Sequence, residues 1–152
     1  MFEKIKEWLT AQSIPFKEVH HGPVKTSEEA ALARGEDLSI GGKALVLKID
    51  ESFKLCVLSA AKKLDSNALR KHFGARKLRF ADNDELMKLT GLVPGSVPPF
   101  GKPLIDLELL LDQSILQNQK IAFNAGSLND SIIMSVEDYL KVTNPVILAF
   151  SR

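Results

Sequence analysis

Residues 44–60, ALVLKIDESFKLCVLSA, decide which class of fold this chain can adopt. Ala44 to Ile49 is an apolar run interrupted only by Lys48, and Phe53 to Ala60 is a second such run. Between them Asp50-Glu51-Ser52 supplies only polar residues, so the stretch reads as two strands joined by a turn. Cys56 lies inside the second run and reads as a small buried apolar residue rather than a nucleophile.

Helices and strands alternate outward from this hairpin. Phe2, Ile5, Trp8 and Leu9 recur at helical spacing, predicting an amphipathic helix over 2–12 that Ile14-Pro15-Phe16 ends. A short strand through Phe16 and Val19 follows, and Thr26-Ser27-Glu28-Glu29 has the form of a capping box opening a helix that Gly35 stops. On the other side, Asp65 caps a predicted helix to Phe73 with Gly74 in the stop position. Lys77 to Phe80 reads as a strand, and Asp82 with Glu85 starts a further helix to Leu89. Short strands are expected near Leu104–Ile105, Ile121–Asn124 and Ser131–Met134, then a helix capped by Ser135. Pro145–Phe150 can close the sheet. Interspersed helices and strands, several joined by short turns, predict an α/β or α+β fold with a mixed, largely antiparallel sheet. A chain of 152 residues fits a single domain spanning 1–152.

Bulk composition excludes several classes. A hydrophobic content of 45% and charged content of 26% are ordinary for a soluble globular protein. One cysteine excludes an intramolecular disulfide, and no apolar run approaches the roughly 20 residues of a membrane helix. With no signal-peptide pattern at Met1–Lys6, a cytoplasmic location without membrane contact is expected. Net charge is only +1, yet Lys62, Lys63, Arg70, Lys71, Arg76, Lys77 and Arg79 cluster with Asp65 as the sole acid between 62 and 79. Lys62, Lys63, Arg70 and Lys71 are the candidates for gripping nucleic-acid phosphates; the alternative is a solvated helix and strand face.

The most unusual stretch is GLVPGSVPPFGKP, residues 91–103, with four prolines and three glycines. Such a loop is stiff and can present the amides of Gly95, Ser96 and Gly101 to an anionic or carbonyl oxygen, or it can be a purely structural connection. Lys43, after Gly41-Gly42, opens the first strand; it reads either as a phosphate or carboxylate partner or as a solvated strand end. Phe123-Asn124-Ala125-Gly126-Ser127 ends a strand in small residues, where a ligand or a tight turn fits equally. His20-His21 with Thr26 forms a polar cluster, but adjacent side chains on a strand point apart. No second cluster has zinc spacing, and no catalytic triad motif, Walker loop or dinucleotide fingerprint is present, so no metal is expected.

The order of these segments resembles the YbaK family, also called the aminoacyl-tRNA synthetase-associated domain. The segments that carry it are His21-Gly22-Pro23 with Thr26–Ala30, Gly42–Leu47, Thr90–Gly101, Asn124–Leu128 with Ser131-Ile132, and Asp138–Leu140. The resemblance implies a barrel-like mixed sheet flanked by helices, no cofactor, and hydrolysis of the ester joining a mischarged amino acid to a tRNA 3′ end. An aminoacyl-tRNA acceptor end, and a synthetase, are the implied partners. It further implies that Lys43 engages the substrate, that Gly95 and Gly101 hold a loop whose amides face the ester carbonyl, and that Asn124, Ala125 and Gly126 form the opposite wall. His21, Thr26, Ser96, Pro98, Phe100 and Leu128 are the remaining implied substrate contacts. Leu128 stands where alanine-selective members carry histidine, so Ala, Ser, Thr and Cys are all candidate substrates, with tRNA-Pro the expected but not the required carrier.

Overall fold

The computed structural model describes all residues 1–152. Thirteen regular elements follow in order: α1 (Phe2–Ala11), β1 (Lys17–His20), α2 (Ser27–Arg34), β2 (Gly42–Ile49), β3 (Ser52–Ser59), α3 (Ser66–Phe73), β4 (Leu78–Phe80), α4 (Asn83–Thr90), β5 (Glu108–Asp112), β6 (Lys120–Asn124), β7 (Asp130–Ser135), α5 (Val136–Thr143) and β8 (Val146–Leu148). Single 3-10 turns lie at Leu38–Ile40 and Gln113–Gln117.

The β2–β3 hairpin is the centre of the larger sheet, whose order is β4-β2-β3-β5-β8. Its antiparallel register runs from Gly42 opposite Ser59 to Ile49 opposite Ser52. Asp50 makes the turn at a φ of 52°, a conformation its short polar side chain tolerates. Its carboxylate accepts from the amides of Arg76 and Lys77, fixing the start of β4. Both strands are apolar at consecutive positions because the sheet is covered on both faces. Leu47, Ile49, Cys56 and Leu58 pack under α3 with Leu69 and Phe150, while Val46, Leu55 and Val57 join the larger core. That core takes in Ile5 and Leu9 of α1, Phe123 and Ile132 of the second sheet, and Tyr139 of α5.

The second sheet is antiparallel throughout, in the order β1-β7-β6. The strands do not close into one barrel. Outside the named strands, a single parallel bridge between Gly41 and Ala122 links the two sheets. It requires glycine next door: a Cβ on Gly42 would lie 2.7 Å from Ile121 Cδ1.

One element is misplaced by pattern reading. Leu104–Ile105 is part of a turn, and the strand is Glu108–Asp112, which pairs in parallel with both β3 and β8. Parallel pairing needs a long crossover, and the stiff 91–103 loop with its following turn supplies part of one. The Thr26 cap also differs in detail. Thr26 Oγ1 accepts from the Glu29 amide, but the Glu29 carboxylate reaches back to the Lys25 amide rather than to Thr26. At α4 the Asp82–Glu85 box is reciprocal.

Candidate functional site

The short strand β4 pairs only with Leu47, Lys48 and Ile49 of β2. The first half of β2 therefore keeps an open edge, and α2 lies beside it without covering it. A cavity of about 220 Å³ opens there, lined by Val24–Ser27, Ala30 and Arg34 around α2, Gly41 with Gly42–Leu45 of β2, Ala60, the loop residues Gly95 and Val97, and Asn124. It is smaller than the roughly 300–1,000 Å³ typical of sites for drug-sized ligands, which suits a group at the end of a larger molecule. Its lining contains three cations, Lys25, Arg34 and Lys43, and no carboxylate.

Lys43 shares the β2 face with Leu47 and Ile49 and is paired with Leu58. Its Nζ donates to the Lys62 carbonyl at 2.9 Å. Burial pulls the Lys43 ammonium below its ordinary pKa, partly opposed by Glu28. The far wall is Asn124, at the end of β6. Its Nδ2 donates to the Gly95 carbonyl at 2.7 Å, and its Oδ1 accepts from Arg34 Nη2 at 3.0 Å. Gly95 itself sits at a φ of 86°, a conformation that favours glycine. The amides of Gly95 and Val97 donate to no protein acceptor, leaving two N–H groups along the loop wall.

The loop is held from several sides. Tyr139 OH donates to the Pro99 carbonyl at 2.6 Å, and the Gly126 amide to the Ser96 carbonyl at 2.9 Å. These ties set the rigidity that loop prolines alone only suggest.

Of the residues singled out from sequence, Lys43, Thr26, Gly95 and Asn124 line the cavity together. Others do not reach it. Phe100 is 1% exposed and is the hub of an aromatic cluster, 5.5 Å from Trp8, 5.2 Å from Phe123 and 5.7 Å from Tyr139. Pro98 and Ala125 are likewise buried. Gly101 is buried against β5 and does not line this cavity; a Cβ there would lie 2.6 Å from the Leu107 carbonyl oxygen, so its lack of a side chain serves close packing. The Ser96 amide is engaged by Val93 O at 3.2 Å and cannot meet a substrate oxygen. Gly126 packs against Met1, and Leu128 lies over Gly95 without lining the cavity.

His21 stands one layer behind the wall. Its Nδ1 is 2.8 Å from the Gly22 carbonyl and its Nε2 is 2.8 Å from Ser131 Oγ. Of the basic cluster, Lys62 and Lys63 are exposed beside Lys43, Lys63 pairing main chain to main chain with Arg152. Arg70 and Lys71 lie on α3 around a separate concavity with Gly74. Arg79 belongs to neither group, because Glu85 engages both of its terminal nitrogens.

Arg34 and Ser131 are the residues pattern reading misses. Arg34 looks like an ordinary basic residue in the last turn of a helix, and Ser131 like a strand position. Only the approach of α2 to β6 and β7 brings them together, with Arg34 Nε donating to Ser131 Oγ at 2.9 Å.

Residues 21–142 match the aminoacyl-tRNA editing domain. The chain belongs to the aminoacyl-tRNA editing family. Among curated relatives of this editing family, it is 34% identical over 150 residues to the multifunctional Ser/Thr-tRNA deacylase ProXp-y of Escherichia coli K12, covering 95% of this chain and 89% of that protein. It is also 34% identical over 102 residues to a proline–tRNA ligase of Shouchella clausii, of which the match spans 18%. Among solved structures it superposes on the hypothetical protein APE2540 with a TM-score of 0.87 and 26% identity, covering 98% and 99% of the two chains. A candidate trans-editing enzyme for prolyl-tRNA synthetase shares the fold at a TM-score of 0.84 and 22% identity.

Proposed function

We propose that this protein is a trans-editing aminoacyl-tRNA deacylase of the cytoplasm, removing serine or threonine, and other small amino acids, from mischarged tRNA-Pro. The observation that carries this reading is the cavity itself: three cations, two unengaged loop amides and no protein nucleophile paired with a base. The hydroxylated substrates are supported by the Ser/Thr-tRNA deacylase to which the chain is similar.

In this reading a water molecule adds to the ester carbonyl, the carbonyl oxygen takes the developing negative charge, and the bond to the ribose oxygen breaks. The products are the free amino acid and a tRNA with its 3′-terminal hydroxyl restored. The Gly95 and Val97 amides supply fixed donors for that oxyanion, and Lys43 favours it by charge. Thr26 and Ser27 carry hydroxyls at the rim, but no imidazole lines the cavity to activate them, so catalysis rests on positioning and electrostatics. Asn124 holds Gly95 in place for this. Lys62 and Lys63 extend the cationic surface from Lys43 toward the acceptor stem.

The test is a deacylation panel of Ala-, Ser-, Thr- and Cys-tRNA-Pro with the wild type and Lys43→Ala. Wild-type turnover of Ser- and Thr-tRNA is expected, with kcat/KM lowered roughly 10²–10³-fold in the variant. Tight tRNA binding without ester hydrolysis on any member would instead make the protein a non-catalytic tRNA-binding module.

A further inference from the structure

Arg34 is the cavity residue whose presence the proposed chemistry explains least. A guanidinium withdrawn from water ordinarily faces a carboxylate, because an unpaired buried charge is costly. Arg34 faces none. Burial alone pulls its pKa down to about 10, with no acid opposing the shift, so it remains a cation at neutral pH.

Two of its three nitrogens are engaged by neutral acceptors: Nε by Ser131 Oγ at 2.9 Å and Nη2 by Asn124 Oδ1 at 3.0 Å. Nη1 makes no hydrogen bond, yet no buried side-chain nitrogen or oxygen lacks a partner, so Nη1 is open to solvent. It lies beside Gly41, 3.6 Å from where a Cβ there would stand, and Gly41 lines the cavity.

The neighbouring groups are already engaged. The Gly22 carbonyl can only accept, so neutral His21 carries its proton on Nδ1 and accepts at Nε2. Ser131 O–H therefore donates to His21 Nε2 while its oxygen accepts from Arg34 Nε. Asn124 Nδ2 is on the Gly95 carbonyl. Nη1 is thus the charged donor that this wall turns toward a ligand, held by two bonds that fix the plane of the guanidinium.

Building on the deacylase reading, we infer that Arg34 sets the substrate side chain: Nη1 donates to the hydroxyl of a seryl or threonyl ester. The pocket then prefers a hydroxylated amino acid over the isostere carrying a methyl group in its place. An apolar isostere strips water from Nη1 and returns no acceptor, and sites built to hydrogen-bond a hydroxyl reject analogues lacking it. Size alone separates such isosteres poorly.

The experiment compares kcat/KM on two isosteric pairs carried by the same tRNA, threonyl with valyl and seryl with 2-aminobutyryl. The wild type is expected to favour the hydroxylated member of each pair by roughly 10–100-fold, the range of a hydrogen bond to a charged group. Arg34→Met brings both ratios to within about threefold of one, chiefly by slowing the hydroxylated esters. Equal rates within each pair in the wild type overturn the inference. So does an unchanged ratio in Arg34→Met with all four esters slowed alike, which makes Arg34 a support for Asn124 or a grip on the tRNA phosphates. If Arg34→Met does not fold, Arg34→Gln, shorter and neutral, must lower the ratios at least about threefold; unchanged ratios there overturn it equally. A wild-type protein active on the panel but without a hydroxyl preference defeats this inference alone. Inactivity on every mischarged tRNA defeats the deacylase reading beneath it.

Discussion

Asn124→Asp replaces one NH₂ by oxygen and separates stability from activity. In the native site Nδ2 donates to the Gly95 carbonyl at 2.7 Å, while Oδ1 accepts from Arg34 at 3.0 Å. In the variant one carboxylate oxygen keeps Arg34, and the other faces the Gly95 carbonyl, acceptor against acceptor. Losing that bond costs about 1–2 kcal/mol, since Gly95 is exposed and water can replace its partner. The new charge-assisted pairing with Arg34 returns about 1–3 kcal/mol. The two nearly cancel, and a net change of about 1 kcal/mol moves Tm by only about 2–4 °C at this chain length. Activity has no such compensation. Gly95, freed at its carbonyl, can turn its amide away from the ester, and misplacement by about 1 Å costs on the order of 10²-fold. Thermal unfolding alongside single-turnover deacylation of Thr-tRNA is the assay. A variant with wild-type Tm and kcat/KM within about threefold of wild type would refute the role given to the Asn124–Gly95 clasp.

Gly101→Ala should destabilise by about 1–3 kcal/mol through overpacking against the Leu107 carbonyl, measured by urea unfolding, while the folded fraction keeps its deacylation rate. A large loss of rate at full folding would return Gly101 to the site. Glu85 is held at about 2, first by its Arg79 hydrogen bonds and then by the Asp82 amide. A depressed carboxylate stabilises above its ordinary pKa of 4.5 and loses that contribution as pH falls toward about 2. Arg79→Ala should raise the Glu85 carboxyl toward its ordinary value, read by carbon NMR titration; an unmoved midpoint would remove Arg79 as the main cause.

Local signals carried much of the fold. The β2–β3 hairpin, the Asp65, Asp82 and Ser135 caps, and the Gly35 and Gly74 stops depend on side chains within a few residues of each other, so they are visible in one dimension. Glu108–Asp112 was not, because a parallel strand takes its partners from β3 and β8, distant in sequence, and carries no hairpin turn to announce it. The site divides along the same line. Lys43, Thr26, Gly95 and Asn124 stand out by residue type and position. Phe100, Pro98 and Gly101 stand in the same unusual loop, yet there only packing tells a residue facing the core from one facing the cavity.

By itself the sequence determined a mixed α/β fold, a stiff Pro/Gly loop, a lysine at the mouth of a strand and, through its ordered motifs, the editing family. Tertiary structure alone decided which amides of that loop stay unengaged, and it alone brought Arg34 of α2 against Asn124 and Ser131. Burial and hydrogen-bond engagement are properties of elements meeting across the molecule, and no spacing along the chain encodes them. For that reason the donor that selects the substrate was invisible until the second sheet was in place.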